Sequence, residues 1–437
     1  MTTERPLRVA MLSEHASPAA RLGGADAGGQ NVYVDEVSRH LGALGYSVDV
    51  FTRREDTESP RVVDWAPGVR IVNVVAGPPE ALPKDAVWPY MPQFERSILD
   101  FMRGDGARYD LLHGNFWMSG HVATRLGRRL RAPVVQIFHA MGLTKRRHQG
   151  EADTSASERV DVERAVVRAA DRLIAQCPSE RDELVGDYGA DPSRVALIPS
   201  GVDGERYRPV LRDEARARIG LNGDGPVVVY VGRMLPRKDV RNVVRAVALL
   251  ASGDGQAARA RLLLVGGDAP NPEPDAVGET GELQRLAEEL GIRDRVLVVG
   301  QRQPDVLRYY YCAGDVAVST PWYEPFGLTP LEAMACGRPI VGSAVGGLTY
   351  TIADGQTGFL VPPRDPGALA ARLRELLTDA AMRDAFGRAA RTRAERYFAW
   401  PVVAARTAVL YQEVVSCNVP PTSEQASLAL PRSAIPG

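Results

Sequence analysis

Cysteine is scarce in the 437 residues, with four at Cys177, Cys312, Cys336 and Cys417. None forms C-x-x-C or another metal-ligand spacing, so a zinc ribbon and a disulfide scaffold are both excluded. The pattern suits the reduced thiols of a cytoplasmic protein. A charge imbalance is missing too: 53 Lys and Arg stand against 54 Asp and Glu, a net charge of −1. No basic nucleic-acid partner is therefore expected. There is no run of about eighteen apolar residues, so no integral membrane segment is expected. The N-terminus lacks the apolar core of a signal peptide. A basic patch such as Lys145 to His148 is where peripheral membrane contact would begin, and none is expected. A D-x-D metal motif is absent.

What is there is an alternation of strand and helix signals along most of the chain, the pattern of βαβ units and parallel sheets. Strands are expected at Arg8 to Leu12, Ser47 to Thr52, Val69 to Val75, Tyr109 to His113, Ala132 to Phe138, Arg172 to Ala175 and Val195 to Pro199. A helix from Gln30 carries Val34, Val37, Leu41 and Leu44 on one face and stops at Gly45. The pattern restarts at Pro226, with strands at Val227 to Val231, Arg261 to Val265, Val296 to Val299, Asp315 to Ser319, Pro339 to Val341 and Gly358 to Val361. Helices are expected from Pro366 and Ala381. The length suits two domains of about 200 residues, and Gly201 to Leu221 has the turn composition of a linker. The limits are 1–205 and 206–400, then a helix over 401–416 and a Pro/Ser-rich tail, 417–437, expected to be disordered.

The chain is organised around Ser319 to Leu348. Pro321 to Leu328 is a loop, and Thr329-Pro330-Leu331-Glu332 reads as a capping box with Thr329 as N-cap. Gly337 ends that helix, and Gly346-Gly347 makes a second tight loop. Two loops and a helix N-terminus at one sheet edge offer amide N–H groups to an anion such as a diphosphate. Taken alone, Glu332 reads as a helix cap and Glu324 as a solvated acid. The whole segment E-P-F-G-L-T-P-L-E-A-M-A-C-G-R-P, however, closely resembles the nucleotide-sugar site of retaining family-4 glycosyltransferases of GT-B type. The resemblance implies two Rossmann-like, doubly wound parallel-sheet domains facing across a cleft. It implies that Glu324 contacts the donor sugar, that Glu332 holds the ribose hydroxyls, and that the backbone of Phe326, Gly327 and Leu328 meets the diphosphate or sugar. In V-G-R-M-L-P-R-K-D, it gives Arg233 and Lys238 the leaving diphosphate; fixed cations of this kind stabilise charge as it develops. Arg237 reads as neighbouring surface.

In the first half, D-A-G-G-Q-N-V-Y-V follows a strand and enters a helix, which lets backbone amides approach a phosphate. It does not fit the NAD fingerprint: the loop is too long, and Thr52-Arg53-Arg54 lacks the acidic ribose ligand. With S-E-H-A-S-P before it, the segment resembles sucrose-phosphate synthases, sucrose synthases and the inositol-phosphate glycosyltransferases of mycothiol synthesis. That resemblance places Gly28 and Gly29 at the diphosphate and acceptor and Asn31 at the acceptor. It matches His139 to an active-site histidine touching the donor sugar, and His113 to a residue of the acceptor pocket. Lys84 and Arg159 match cations of the acceptor's phosphate. Phe116 stands where those enzymes have a tyrosine and Ala140 where they have a hydroxyl-bearing residue. Both changes remove phosphate donors and leave another polyol, cyclitol or sugar as open as a phosphorylated inositol.

Double displacement needs a carboxylate nucleophile beside the anomeric carbon, and no residue stands out as one. The resemblance implies instead front-face attack through an oxocarbenium-like state, with retention, with no metal and no cofactor besides the donor, most readily a UDP-sugar. The partners are then a small-molecule donor and acceptor, and a homodimer is compatible. The competing functions are a non-catalytic nucleotide-sugar-binding protein and a UDP-sugar epimerase or sugar phosphorylase of the same fold.

Overall fold

The structure, a computed structural model, describes residues 6–20, 28–150, 153–267 and 278–418. Most of the glycine-rich loop before Gly28 and the tail from 419 onward lie outside these. The first sheet has eight strands: β1 (Arg8–Leu12), β2 (Ser47–Arg53), β3 (Val62–Ala66), β4 (Val69–Val74), β5 (Leu111–Asn115), β6 (Val134–Ile137), β7 (Arg172–Ala175) and β8 (Val195–Leu197). Their order is β3-β4-β2-β1-β5-β6-β7-β8, and only β3 runs antiparallel. The second sheet has six parallel strands: β9 (Val227–Val231), β10 (Arg261–Val265), β11 (Val296–Gly300), β12 (Val316–Ser319), β13 (Ile340–Ser343) and β14 (Gly358–Val361). Their order is β11-β10-β9-β12-β13-β14. Strand order reverses between β1 and β5 in one sheet and between β9 and β12 in the other. Doubly wound sheets bind ligands beyond strand C-termini at such reversals, and the two reversals face each other.

Several boundaries differ from the sequence expectation for local physical reasons. β5 starts at Leu111: Asp110 N–H still bonds Arg8 O, but the Arg8 N–H is taken at 2.8 Å by the Asp110 side-chain carboxylate in place of a main-chain carbonyl, and the Tyr109 hydroxyl donates to Asp49 at 2.6 Å. β6 is shorter at both ends. Ala132 N–H closes the preceding helix on Gly127 O, and a tight turn begins at Phe138. Leu44 does not join the buried face of helix Gly29–Ala43. It is the C-cap, 52% exposed, and Gly45 follows at φ 90°. β3 was not expected: as a half-buried edge strand it pairs on one side only and lacks a clean alternation.

The last helix, Trp400–Asn418, packs on the core of the first sheet. Trp400, Val403, Leu410, Tyr411 and Val414 are buried with Val9, Met11, Tyr33 and Val37. Tyr46 donates to Ala408 O at 3.2 Å, and the Tyr411 hydroxyl lies 2.5 Å from His113 Nδ1. Tyr411 is fully buried, so Tyr411→Ala removes a large aromatic group and strips His113 of its partner. The expected loss is about 3–5 kcal/mol of stability. Tyr411→Phe, which loses only the hydroxyl, is expected to cost about 1–3 kcal/mol. Urea unfolding curves of the two variants check the size and the order of these effects.

Candidate active site

A cleft of about 1710 Å³ lies between the facing strand ends. His15, Gly28, Gly29, Asn31, Lys84, Phe116, His139 and Arg159 line it from the first half. Arg233, Lys238, Glu324, Phe326, Gly327, Leu328 and Glu332 line it from the second. Of the expected site residues, only His113 does not. It is fully buried in the middle of β5, and its ring faces the C-terminal helix through Tyr411. Burial pushes its protonation down to about 3, so it is a neutral core histidine.

The donor side is built from loops after β9, β12 and β13. Lys238 Nζ forms a salt bridge and hydrogen bond with Glu324 Oε2, joining the loop after β9 to the loop after β12. Burial favours neutral Glu324, but Lys238, Arg237 and Arg233 outweigh it and hold the carboxyl below its ordinary range. Burial in turn lowers the Lys238 ammonium, against the attraction of Glu324. The loop of Glu324 is braced from behind. Gly347 N–H donates to Glu324 O at 2.9 Å, and a Cβ at Gly346, whose φ is 45°, would stand 2.2 Å from the same oxygen. Only glycine fits that approach.

The helix after this loop runs over Leu328–Ala335, and its N-cap is Gly327 at φ 92°. Thr329 therefore does not cap it, and Glu332 is not half of a capping box. The Glu332 carboxylate instead accepts from the Tyr311 hydroxyl at 2.7 Å. Burial raises its protonation, and hydrogen bonds from Tyr311 and Tyr207 oppose the rise. With its first amides free of side-chain caps, the helix N-terminus is open toward the cleft, where an anion is favoured.

On the opposite wall, His139 is the centre of a γ-turn: its φ is 61°, and Ala140 N–H bonds Phe138 O at 2.7 Å. Phe116, also facing the cleft, has φ 77°. Non-glycine residues at such angles cost on the order of 1–3 kcal/mol each and cluster at functional sites. Burial, then His113 and His15, push His139 protonation down to about 3. Asn31 is engaged in the helix start: its Oδ1 accepts Gly28 N–H and its Nδ2 donates to Ser17 O, both at 3.0 Å. Arg159 is buried, paired with Glu163 at 2.8 Å, and donates to Ala140 O at 2.6 Å. Its guanidinium also lies 5.0 Å from the centre of the Phe116 ring.

Sequence reasoning missed several cleft residues. Arg237 is not neighbouring surface; it lines the cleft, its guanidinium 5.4 Å from the Tyr323 ring centre, and its pairing with Lys238 in one loop was the available signal. Lys145, Arg147 and His148 line the cleft as well, on helix Gly142–Gln149, so the basic cluster faces inward. There Lys145 pairs with Asp153 at 2.9 Å and Arg147 with Asp187 at 2.7 Å. This helix also reaches the far wall. His148 stacks on Tyr323 at 4.6 Å and 15°, and Gln149 Nε2 donates to the Tyr323 hydroxyl at 2.9 Å. Gly266 gave no motif, yet a Cβ there would stand 1.8 Å from Gly232 O. It lets the loops after β9 and β10 touch.

The pattern described as Glycosyltransferase Family 4 matches residues 27–206, and the one described as Glycosyl transferases group 1 matches residues 212–393. The D-inositol 3-phosphate glycosyltransferase of Streptomyces bingchenggensis is 39% identical over 416 residues, 94% of this chain and 90% of that protein. D-inositol 3-phosphate glycosyltransferase 2 of Catenulispora acidiphila is 40% identical over 415 residues, covering 94% and 96%. Among solved structures, sucrose-phosphate synthase from Thermosynechococcus elongatus superposes with a TM-score of 0.83 at 34% identity, covering 94% of this chain and 100% of that one. The facing doubly wound sheets, the glycine-opened helix below Glu324 and these likenesses together make the chain a member of the GT-B glycosyltransferases that join a family 4 first half to a group 1 second half.

Proposed function

We propose that the chain transfers a hexosyl group from a UDP-sugar to a small hydroxylated acceptor, a cyclitol, sugar or sugar phosphate, with retention and without a metal ion or other cofactor. The carrying observation is the partly buried Lys238–Glu324 pair on the donor wall, with His139 on the wall opposite. Residues 206–400 hold the donor and 1–205 the acceptor. Lys238 and Arg233 take the diphosphate, and the charge they stabilise is the one that grows as the glycosidic bond breaks. Arg237 adds a third cation to the same loop. Glu324, relieved of Lys238 by the diphosphate, accepts from sugar hydroxyls. Glu332, steadied by Tyr311, accepts from the ribose. The departing diphosphate takes the acceptor proton. The UDP assignment rests on the resemblance of residues 319–348 to nucleotide-sugar sites.

Front-face attack rather than double displacement rests on the resemblance of residues 319–348 to the sites of retaining glycosyltransferases. For the acceptor, the relatives' names supply D-inositol 3-phosphate. Lys84 lines the matching end of the cleft, while Arg159 meets it with its charge already opposed by Glu163. Among the described residues no helix is long and apolar enough to cross a membrane. We read the protein as cytoplasmic.

The direct test is product analysis by NMR with UDP-sugars and a panel of inositols, sugars and their phosphates, with and without EDTA. An α-linked product from an α-linked donor at equal rates in both conditions is expected; an inverted anomeric centre overturns retention. Lys238→Ala is expected to lower turnover about 10²-fold or more, the scale of one lost charge contact in the transition state. Unchanged kcat in a folded variant removes Lys238 from the leaving-group role. Glu332→Gln is expected to weaken UDP binding in calorimetry, with little change in turnover at saturating donor. Equal affinity for UDP contradicts the ribose assignment.

A further inference from the structure

A neutral imidazole can meet a ligand as a donor or as an acceptor, and which it does depends on the nitrogen that carries the proton. In His139 that choice is made by a neighbour. Nε2 lies 3.1 Å from Asn115 Oδ1. The orientation of the Asn115 amide is fixed on its other side, where Nδ2 lies 3.3 Å from Leu12 O. A main-chain carbonyl only accepts, so the NH2 end must face Leu12 and the oxygen must face His139. An amide oxygen also only accepts, so Nε2 carries the proton and Nδ1 keeps its lone pair. Asn115 is fully buried at the end of β5, and Gln30 Nε2 reaches its main-chain oxygen at 3.5 Å. The same helix supplies Tyr33, whose ring meets His139 edge-on at 4.9 Å and 71°.

We infer that Asn115 is a positioning residue for the transfer reaction, holding His139 as its Nε2–H tautomer so that the ring engages substrate as a hydrogen-bond acceptor at Nδ1. The role in transfer rests on the glycosyltransferase reading of the cleft. An acceptor nitrogen takes a hydrogen from a hydroxyl and repels a diphosphate oxygen, so the chemical group His139 selects is a sugar or cyclitol hydroxyl. The ring delivers no proton itself. Among the described residues, the charged or ring groups acting on it are His113, His15 and Tyr33, none of them a carboxylate, and burial keeps it neutral.

The test begins with the unaltered chain labelled with 15N-histidine. Long-range 1H–15N spectra report which ring nitrogen is protonated, and His139→Gln identifies the His139 signals by their loss. The expected pattern is Nε2–H with no titration between about pH 5.5 and 9, where an ordinary histidine near 6.5 would titrate. An Nδ1–H pattern, or a ring that titrates near 6.5, overturns the assignment without any Asn115 variant having to fold. Asn115→Asp keeps an acceptor facing Nε2, and Asn115→Leu does not. With UDP affinity checked by calorimetry, kcat at about pH 8 is expected to stay within about threefold for Asn115→Asp and to fall about tenfold or more for Asn115→Leu, with donor KM little changed. Equal losses in the two folded variants, or none in Asn115→Leu, refute the positioning role. Absence of any transfer by the unaltered chain counts against the reading of the cleft, whereas the ring spectrum judges the tautomer on its own.

Discussion

One partly buried charge pair organises the donor wall. Lys238 and Glu324 come from loops after different strands, and each partly buried charge is offset by the other, with Arg237 and Arg233 adding to the field on the carboxylate. Together they hold each other ionised and draw the loop after β9 against the loop after β12. The pair is also a weak commitment. Its Coulomb attraction is spent against desolvation, so a ligand that offers an anion to the lysine and hydroxyls to the glutamate can replace each partner with a similar one.

The same economy runs through the backbone around the pair. Gly346 and Gly266 are sites where two loops approach so closely that no Cβ fits, and Gly327 opens a helix with φ 92°. On the other wall the strain falls on side-chain-bearing residues, His139 and Phe116. Glycine absorbs unusual angles where loops meet backbone to backbone and where the helix start faces the cleft. Where a ring must be presented, the angle is forced on the ring's own residue, and the surrounding hydrogen bonds of Asn115 and Ala140 keep it there.

The sheets were legible because buried parallel strands are apolar runs of fixed length, and Arg8–Leu12, Arg172–Ala175, Val227–Val231, Arg261–Val265 and Gly358–Val361 appear with the limits their sequences suggest. The edge strand Val62–Ala66 was not legible, since one-sided pairing leaves little periodic signal. At the site, Glu324, Lys238, Arg233 and His139 stood out through long motifs, and the fold brings them to one cleft. Thr329 misled, because Thr-Pro-x-Glu is a sound local cap and a glycine two residues earlier took that place. His113 misled for the opposite reason: its partner, Tyr411, lies 298 residues away, where no local pattern could point. Asn115 carries no motif of its own; its part is visible only when Leu12, on the neighbouring strand, decides which way its amide turns.

Tyr323 deserves a last consideration, because it is the residue immediately before Glu324 and its ring is gripped by His148 and Gln149 from the far side of the cleft. Parting the two halves means peeling that ring away, and the glutamate is tethered to the next peptide. The seam between the two halves thus lies one peptide from the Lys238–Glu324 pair, and any change in the packing of His148 or Gln149 bears directly on the loop that carries it.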